Sequence, residues 1–357
     1  MCRCSQIALI ICVVVVAVAC DGLCGIWCAE PSTIEVVEPM REERLRLVFA
    51  GDVMAHMPQV ARAKRGDGYD FSATMRYVRP IFEQADLAVV NLETTLSDVA
   101  PYSGYPAFRT PAQLATALAE AGVDVVMTAN NHSLDAGHQG VEATTRILSR
   151  SGLLHTGIAT DSVEYRRQTP LIVERNGRRI ALMNYTYGTN GNVARGGEVV
   201  GLIDTVAMDS DLQRAADADL RVAYLHWGEE YSRRANRAQK EVVAFLQRRG
   251  VEIVVGSHPH VVQPAERSDR GIVLYSLGNF VSNQRTRYSD GGIVAEVDVV
   301  WRNGVRDYWL NIVPVWVKKP DYIVVPKSVG DAMEMAADER AAYREFMADC
   351  EALICEM

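Results

Sequence analysis

Short apolar runs alternate with amphipathic stretches along most of the chain. RLVFA (46–50), LAVVN (87–91), VDVVMTA (123–129), RIALMNY (179–185), LRVAYLH (220–226), VEIVVG (251–256) and IVLYSL (272–277) have the length and composition of strands. Periodic stretches near 111–121, 139–151, 204–217 and 235–249 read as helices between them. Strands apolar on both faces, alternating with helices, predict an α/β domain with much parallel sheet. After Asn279 the pattern changes. GGIVAEVDVVWRNG and VRDYWLNIVPVWV predict a hairpin around Arg302-Asn303-Gly304. No linker interrupts residues 46–325, so one domain is expected there, with 326–357 as a C-terminal helical segment.

The N-terminus is of another kind. Arg3 precedes the unbroken apolar run Ile7–Ala19, which is short against the roughly 20 residues that a spanning helix needs. Residues 1–28 therefore read as a targeting segment. Ala17-Val18-Ala19-Cys20 fits a lipobox; a plain secretory signal and an uncleaved anchor are the other two readings. All three place the body outside the cytoplasm, attached to the membrane or secreted. Residues 29–45, charged and with two prolines, read as a tether.

Composition narrows the function. Of 357 residues, 48% are hydrophobic and 23% charged, enough for a core of normal size. The formal charge of −8 and the lack of a basic stretch argue against a nucleic-acid partner. Six of the eight cysteines lie within residues 2–28, and the other two are Cys350 and Cys355. The body is thus neither a disulfide scaffold nor a thiolate metal site. Cys350 and Cys355 either pair locally or remain two free thiols.

Five of the seven histidines, His56, His132, His226, His258 and His260, fall just after expected strands. In open α/β sheets that edge is where ligands bind. In VFAGDVMAH, Asp52 leaves the first strand and His56 follows; an Asp at such a place also serves as a helix cap. In AVVNLETTLSD, Glu93 lies so near a buried strand end that a cation or solvent must neutralise it. VMTANNHSLDAG offers Asn131 as a neutral oxygen ligand and His132 as a proton donor, or else a capped turn. YLHWGEEY and VVGSHPHVVQP add His226 and the pair His258 and His260. Oxygen and imidazole donors without thiolate suit two divalent metal ions, Mn, Fe or Zn. His138 and His155 lie off these blocks and read as surface or packing residues.

GDVMAH, NLETTLSD, ANNHSLD, HWGEEY, GSHPHVVQP and YSLGNF, in that order, resemble the CapA (PgsA-like) family of poly-γ-glutamate and capsule synthesis proteins, which is related to calcineurin-like metallophosphoesterases. The resemblance spans roughly residues 45–285. It implies a metallophosphatase-like αββα sandwich of mixed sheets flanked by helices. It also implies metal ligands at Asp52, His56, Glu93, Asn131, His226, His258 and His260, with His132 as proton donor. Three residues separate Asp52 from His56 where the phosphoesterases have one, and Glu93 stands where they have Asp. The implied role is in synthesis, export or modification of an anionic cell-surface polymer or its precursor, alone or beside a membrane synthase or export complex.

Arg109, Tyr185, Trp227 and Tyr231 are the candidate substrate contacts; a surface ion pair is the other reading of Arg109. Arg233, Arg234 and Arg237 are expected on the helix after the His226 block, as a solvated face or a polymer-binding stripe. Three functions remain open: a metal-dependent hydrolase or phosphoesterase of amide or phosphoester bonds in the cell envelope, a non-catalytic partner of a synthase, and a surface adhesin. Survival of His132 favours the first.

Overall fold

The computed structural model describes residues 42–354. The targeting segment, most of the expected tether and Cys355 lie outside the described residues. Among the described residues no helix is long and apolar enough to cross a membrane.

Two mixed sheets dominate. Across the first, the order is Ile323–Pro326, Val305–Lys318, Gly291–Arg302, Glu42–Val53, Leu87–Leu92, Val125–Met127 and Leu154–Thr156, with Asn279–Val281 also paired to Glu42–Val53. Across the second it is Leu171–Arg175, Arg178–Thr186, Leu220–His226, Ile253–Ser257, Gly271–Leu274 and Ala265–Ser268.

Successive side chains of a strand face opposite ways, and both faces of these sheets are covered. Leu47, Phe49, Leu87, Val89 and Val125 meet Leu182, Val222, Tyr224, Val255 and Ile272 between the sheets. Val48, Ala50, Ala88, Val90 and Val126 face outward and pack on Leu114, Leu118, Ile147 and Leu148 of helices Gln113–Glu120 and Gly137–Arg150. Beyond the second sheet, Met183, Ala223, Leu225 and Val254 meet Met208 and Leu212 of Thr205–Arg214 and Val243 and Leu246 of Arg237–Arg248. The layers are thus helix, sheet, sheet, helix, and burial of both faces explains why the strands read as continuous apolar runs.

The hairpin closes as its sequence requires. Arg302 pairs with Val305, leaving Asn303 (φ 51°) and Gly304 (φ 81°) as a two-residue turn with both residues left-handed. Several boundaries differ from expectation. The first strand starts at Glu42, inside the expected tether, and Leu45 is fully buried. The C-terminal segment is not a separate appendage: Tyr343, Phe346, Met347, Cys350 and Leu353 of helix Ala337–Ile354 join the core between the sheets. Arg233 and Arg234 precede the helix Arg237–Arg248 rather than lying on it.

Two polar bonds cross the sandwich near one edge. The Tyr224 hydroxyl donates to the Ala50 carbonyl (2.9 Å), and Asn184 Oδ1 accepts from the Ala129 amide (2.6 Å). They hold the carboxyl ends of both sheets' central strands in register.

Candidate metal centre

The strand ends meet at this edge. Parallel pairing sets Asp52 opposite Asn91 on one side and Asn279 on the other, and in the second sheet it sets His226 opposite Ser257. The close approach needs Gly51, where a Cβ would lie 2.0 Å from the Gly278 carbonyl oxygen.

Asp52, Glu93 and His226 are fully buried, and Asn131, His258 and His260 nearly so. Ligand atoms of Glu93, His226 and His258 lie within 4.8 Å of one another, as do those of Asp52, Glu93 and His260. His226 presents Nε2 to Asn131 Oδ1 at 2.9 Å and to Glu93 at 3.5 Å, while its Nδ1 lies 3.0 Å from Ser257 Oγ. His260 Nδ1 lies 3.1 Å from both Asp52 and Asn279. Asn91 donates to Asp52 at 2.8 Å. The turn itself is strained: His258 (φ 97°) and His260 (φ 58°) both hold left-handed backbone, a conformation that persists where surrounding structure enforces it.

The electrostatics are lopsided. Burial, then the neighbouring Asp52, raises the Glu93 carboxyl well above the usual range. Burial, then His258 and His260, pushes His226 well below its ordinary value. His258 falls to about 3 through burial and His260. Both Glu93 oxygens, His258 Nδ1 and Asn91 Oδ1 are buried without a hydrogen-bond partner. Orphaned buried acceptors cost several kcal/mol each in an apolar setting, and a cation removes that cost. The donors, carboxylate, imidazole and amide oxygen, fit a divalent metal.

His132 stands beside this group, its Nδ1 2.7 Å from Asp135, which also accepts from the Phe108 amide at 2.6 Å. Phe108 packs edge-on against both His132 (4.7 Å) and His56 (5.0 Å).

Other expected site residues lie elsewhere. His56 is outside the ligand groups: it caps helix Met57–Ala63, and its Nδ1 lies 3.2 Å from Gln59 and 3.3 Å from the Asn283 amide. Burial pushes it down to about 4. Tyr185 and Trp227 face the helices behind the second sheet, where the Tyr185 hydroxyl donates to Asp211 (2.8 Å) and the Trp227 indole to the Tyr275 carbonyl (2.9 Å). Arg109 turns back to the Pro101 carbonyl (3.1 Å) and lines a cavity of about 300 Å³ with Phe108 and Asp135. Tyr231 does reach the rim, its ring 6.2 Å from His260. The unforeseen aromatic is Tyr187, 4.6 Å from His258 and stacked at 6.3 Å on His226. Asp135 and Asn279 were also missed; the strand-end position of Asn279 in YSLGNF was the available signal.

The capsule biosynthesis protein CapA of Bacillus anthracis is 27% identical over 344 residues, covering 90% of this chain and 78% of its own. The PGA biosynthesis protein CapA of Bacillus subtilis (strain 168) is 28% identical over 279 residues, covering 75% and 71%. Among solved structures, the calcineurin-like phosphoesterase YfkN of Bacillus subtilis aligns with 88% of this chain and 99% of its own, at 12% identity and a TM-score of 0.46. Residues 46–284, which carry every candidate ligand, match the model described as bacterial capsule synthesis protein PGA_cap, and the chain belongs to that family.

Proposed function

We propose that this protein is an extracytoplasmic, metal-dependent hydrolase that cleaves amide or phosphoester bonds in an anionic capsule-type polymer or its precursor, a polyglutamate being the first candidate. The observation that carries this reading is the Glu93 carboxylate, fully buried and unpartnered among three histidines and Asp52. Glu93 belongs to two overlapping ligand groups, one with His226 and His258 and one with Asp52 and His260, which favours a pair of cations over one. Divalent ions bound there supply Lewis-acid polarisation of the scissile group and a lowered pKa for water.

The chain's own residues do the rest. Asp135 accepts from His132 Nδ1, which orients the ring and supports its imidazolium form. The Nε2 proton of that imidazolium is the one handed to the departing amine or alkoxide, leaving a neutral ring protonated at Nδ1. Phe108 fixes the ring edge-on. Asn131 and Ser257 orient His226 from opposite ends of its ring. Tyr187 packs against His258 and stacks on His226, holding both rings from the open side.

The test is turnover by the metal-loaded protein on γ-glutamyl peptides and p-nitrophenyl phosphoesters. Activity that falls by about 10²–10⁴ in His132→Ala supports the reading. Full metal content with no turnover, and no difference in His132→Ala, would point instead to a non-catalytic partner of a membrane synthase. The extracytoplasmic assignment rests on residues 1–28, and its test is whether protease added to intact cells cleaves the folded body; loss of membrane retention in Cys20→Ala tests the lipobox alone.

A further inference from the structure

Glu230 overhangs the same cluster from a different loop. It follows strand Leu220–His226, it is exposed, and no hydrogen bond or ion pair joins its carboxylate to another described residue. Yet its ligand oxygen lies within 4.8 Å of ligand nitrogens of His258 and His260.

Backbone, and not chance, holds it there. The Tyr231 amide donates to the Pro259 carbonyl at 2.8 Å, tying the residue after Glu230 to the middle of the histidine turn. Tyr231 adopts left-handed backbone (φ 65°) to do so, the same strained region as His258 and His260. A buried amide chain fastens the rest of the loop. Gln239 donates to Gln263 at 2.9 Å, and Gln263 donates to the carbonyls of Ser232 (2.8 Å) and Arg234 (3.2 Å). The one histidine of the first motif is absent from the ligand groups: His56 sits at the N-cap of helix Met57–Ala63, with its Nδ1 against Gln59 and the Asn283 amide. One imidazole short, the cluster has a spare carboxylate on its open side.

We propose that Glu230 is a metal ligand, forming with His258 and His260 an outer position for a first-row divalent cation. This rests on the reading that the cluster binds metal. One carboxylate with two imidazoles is a donor set for Mn, Fe or Zn. The inner group of Asp52 and Glu93 is closed to solvent, whereas Glu230 is exposed, so the outer ion exchanges faster and faces the incoming substrate.

The full chain, stripped with chelator, is dialysed against Mn²⁺, its metal content measured and its electron paramagnetic resonance recorded. The wild type should hold two ions per chain with an exchange-coupled signal. Glu230→Gln should hold one at the same free Mn²⁺, with the second weakened at least tenfold and the coupling gone. Glu230→Asp should restore part of the loss, and His56→Ala should keep two coupled ions. Because Glu230 is exposed, an unchanged melting temperature of metal-free Glu230→Gln shows that the fold is intact. Two ions bound to Glu230→Gln with wild-type affinity would overturn the assignment while leaving the metal reading in place. If neither wild type nor Glu230→Gln binds Mn²⁺, Fe²⁺ or Zn²⁺, the metal reading fails and the assignment with it.

Discussion

Glu93 illustrates what a site costs when it is built before its ligand arrives. Both oxygens are buried and unpartnered, next to Asp52. In chelator, Glu93→Gln should therefore be more stable than wild type, by about 1 kcal/mol or more in urea unfolding, since the group that must be desolvated no longer ionises. With Mn²⁺ present the order should reverse. Gly51 is the opposite case. In Gly51→Ala the new methyl meets backbone, the Gly278 carbonyl, which has no rotamer to escape into. A loss of about 3 kcal/mol is expected, measured by the same unfolding, with metal affinity reduced as Asp52 moves.

The residues that the sequence reading located and those it misplaced differ by one rule of geometry. Asp52, Glu93, Asn131, His226, His258 and His260 come at or just after buried apolar runs, and the fold brings them together at one edge. Tyr185 and Trp227 also lie at strand ends, but each is one position away from a residue that faces inward. Asn184 and His226 point between the sheets, so their neighbours in sequence point to the helices. Strand position was legible; parity was not, because both faces of these strands are apolar. His56 lies outside the candidate ligand groups, at the N-cap of the helix that begins at the next residue.

At the scale of elements, the first strand is the hub of its sheet, paired with Leu87–Leu92 on one side and Gly291–Arg302 on the other. Phe49 lies fully buried on its inner face, and Phe49→Ala should cost about 3–5 kcal/mol in unfolding free energy. Three-residue strands such as Leu154–Thr156 and Asn279–Val281 escaped sequence reading because they are too short to show a period. The edge of the hub strand carries a charge cluster. Burial pushes the Asp298 carboxyl up, but hydrogen bonds from Arg44 and Arg46 together outweigh it and leave the group below the usual range. A carboxyl depressed on folding stabilises above its unfolded pKa, and that contribution disappears as pH falls through the folded value. Asp298→Asn should thus be less stable than wild type at neutral pH, and unfolding curves of the two should converge under acid conditions.

For the molecule as a whole, any ion bound only by the folded state adds RT ln(1 + [M]/Kd) to stability, about 2.7 kcal/mol at a hundredfold excess over Kd. Calorimetry should show the melting temperature rising with Mn²⁺ and falling with chelator. A temperature that stays flat across that titration would count against the site. The α/β class was readable from the alternation of apolar runs and helices, the layer order came only with the family resemblance, and the attachment of the C-terminal helix to the inter-sheet core came from neither. That attachment runs through the strand Val305–Lys318, where Trp316 meets Tyr343 edge-on at 5.8 Å and Lys318 pairs with Glu339 at 2.8 Å, side-chain contacts that carry no periodic signal in the sequence.

The hub strand also decides where the protein tolerates being cut. Its partner from Glu42↔Arg302 to Ala50↔Val294 lies beyond residue 284, past the end of the stretch that defines the family. A gene trimmed to that stretch would encode an open sheet with an unpaired central edge, primed to stick to its own copies. Anyone shortening this protein for crystals or assays should keep everything from Glu42 through the final helix.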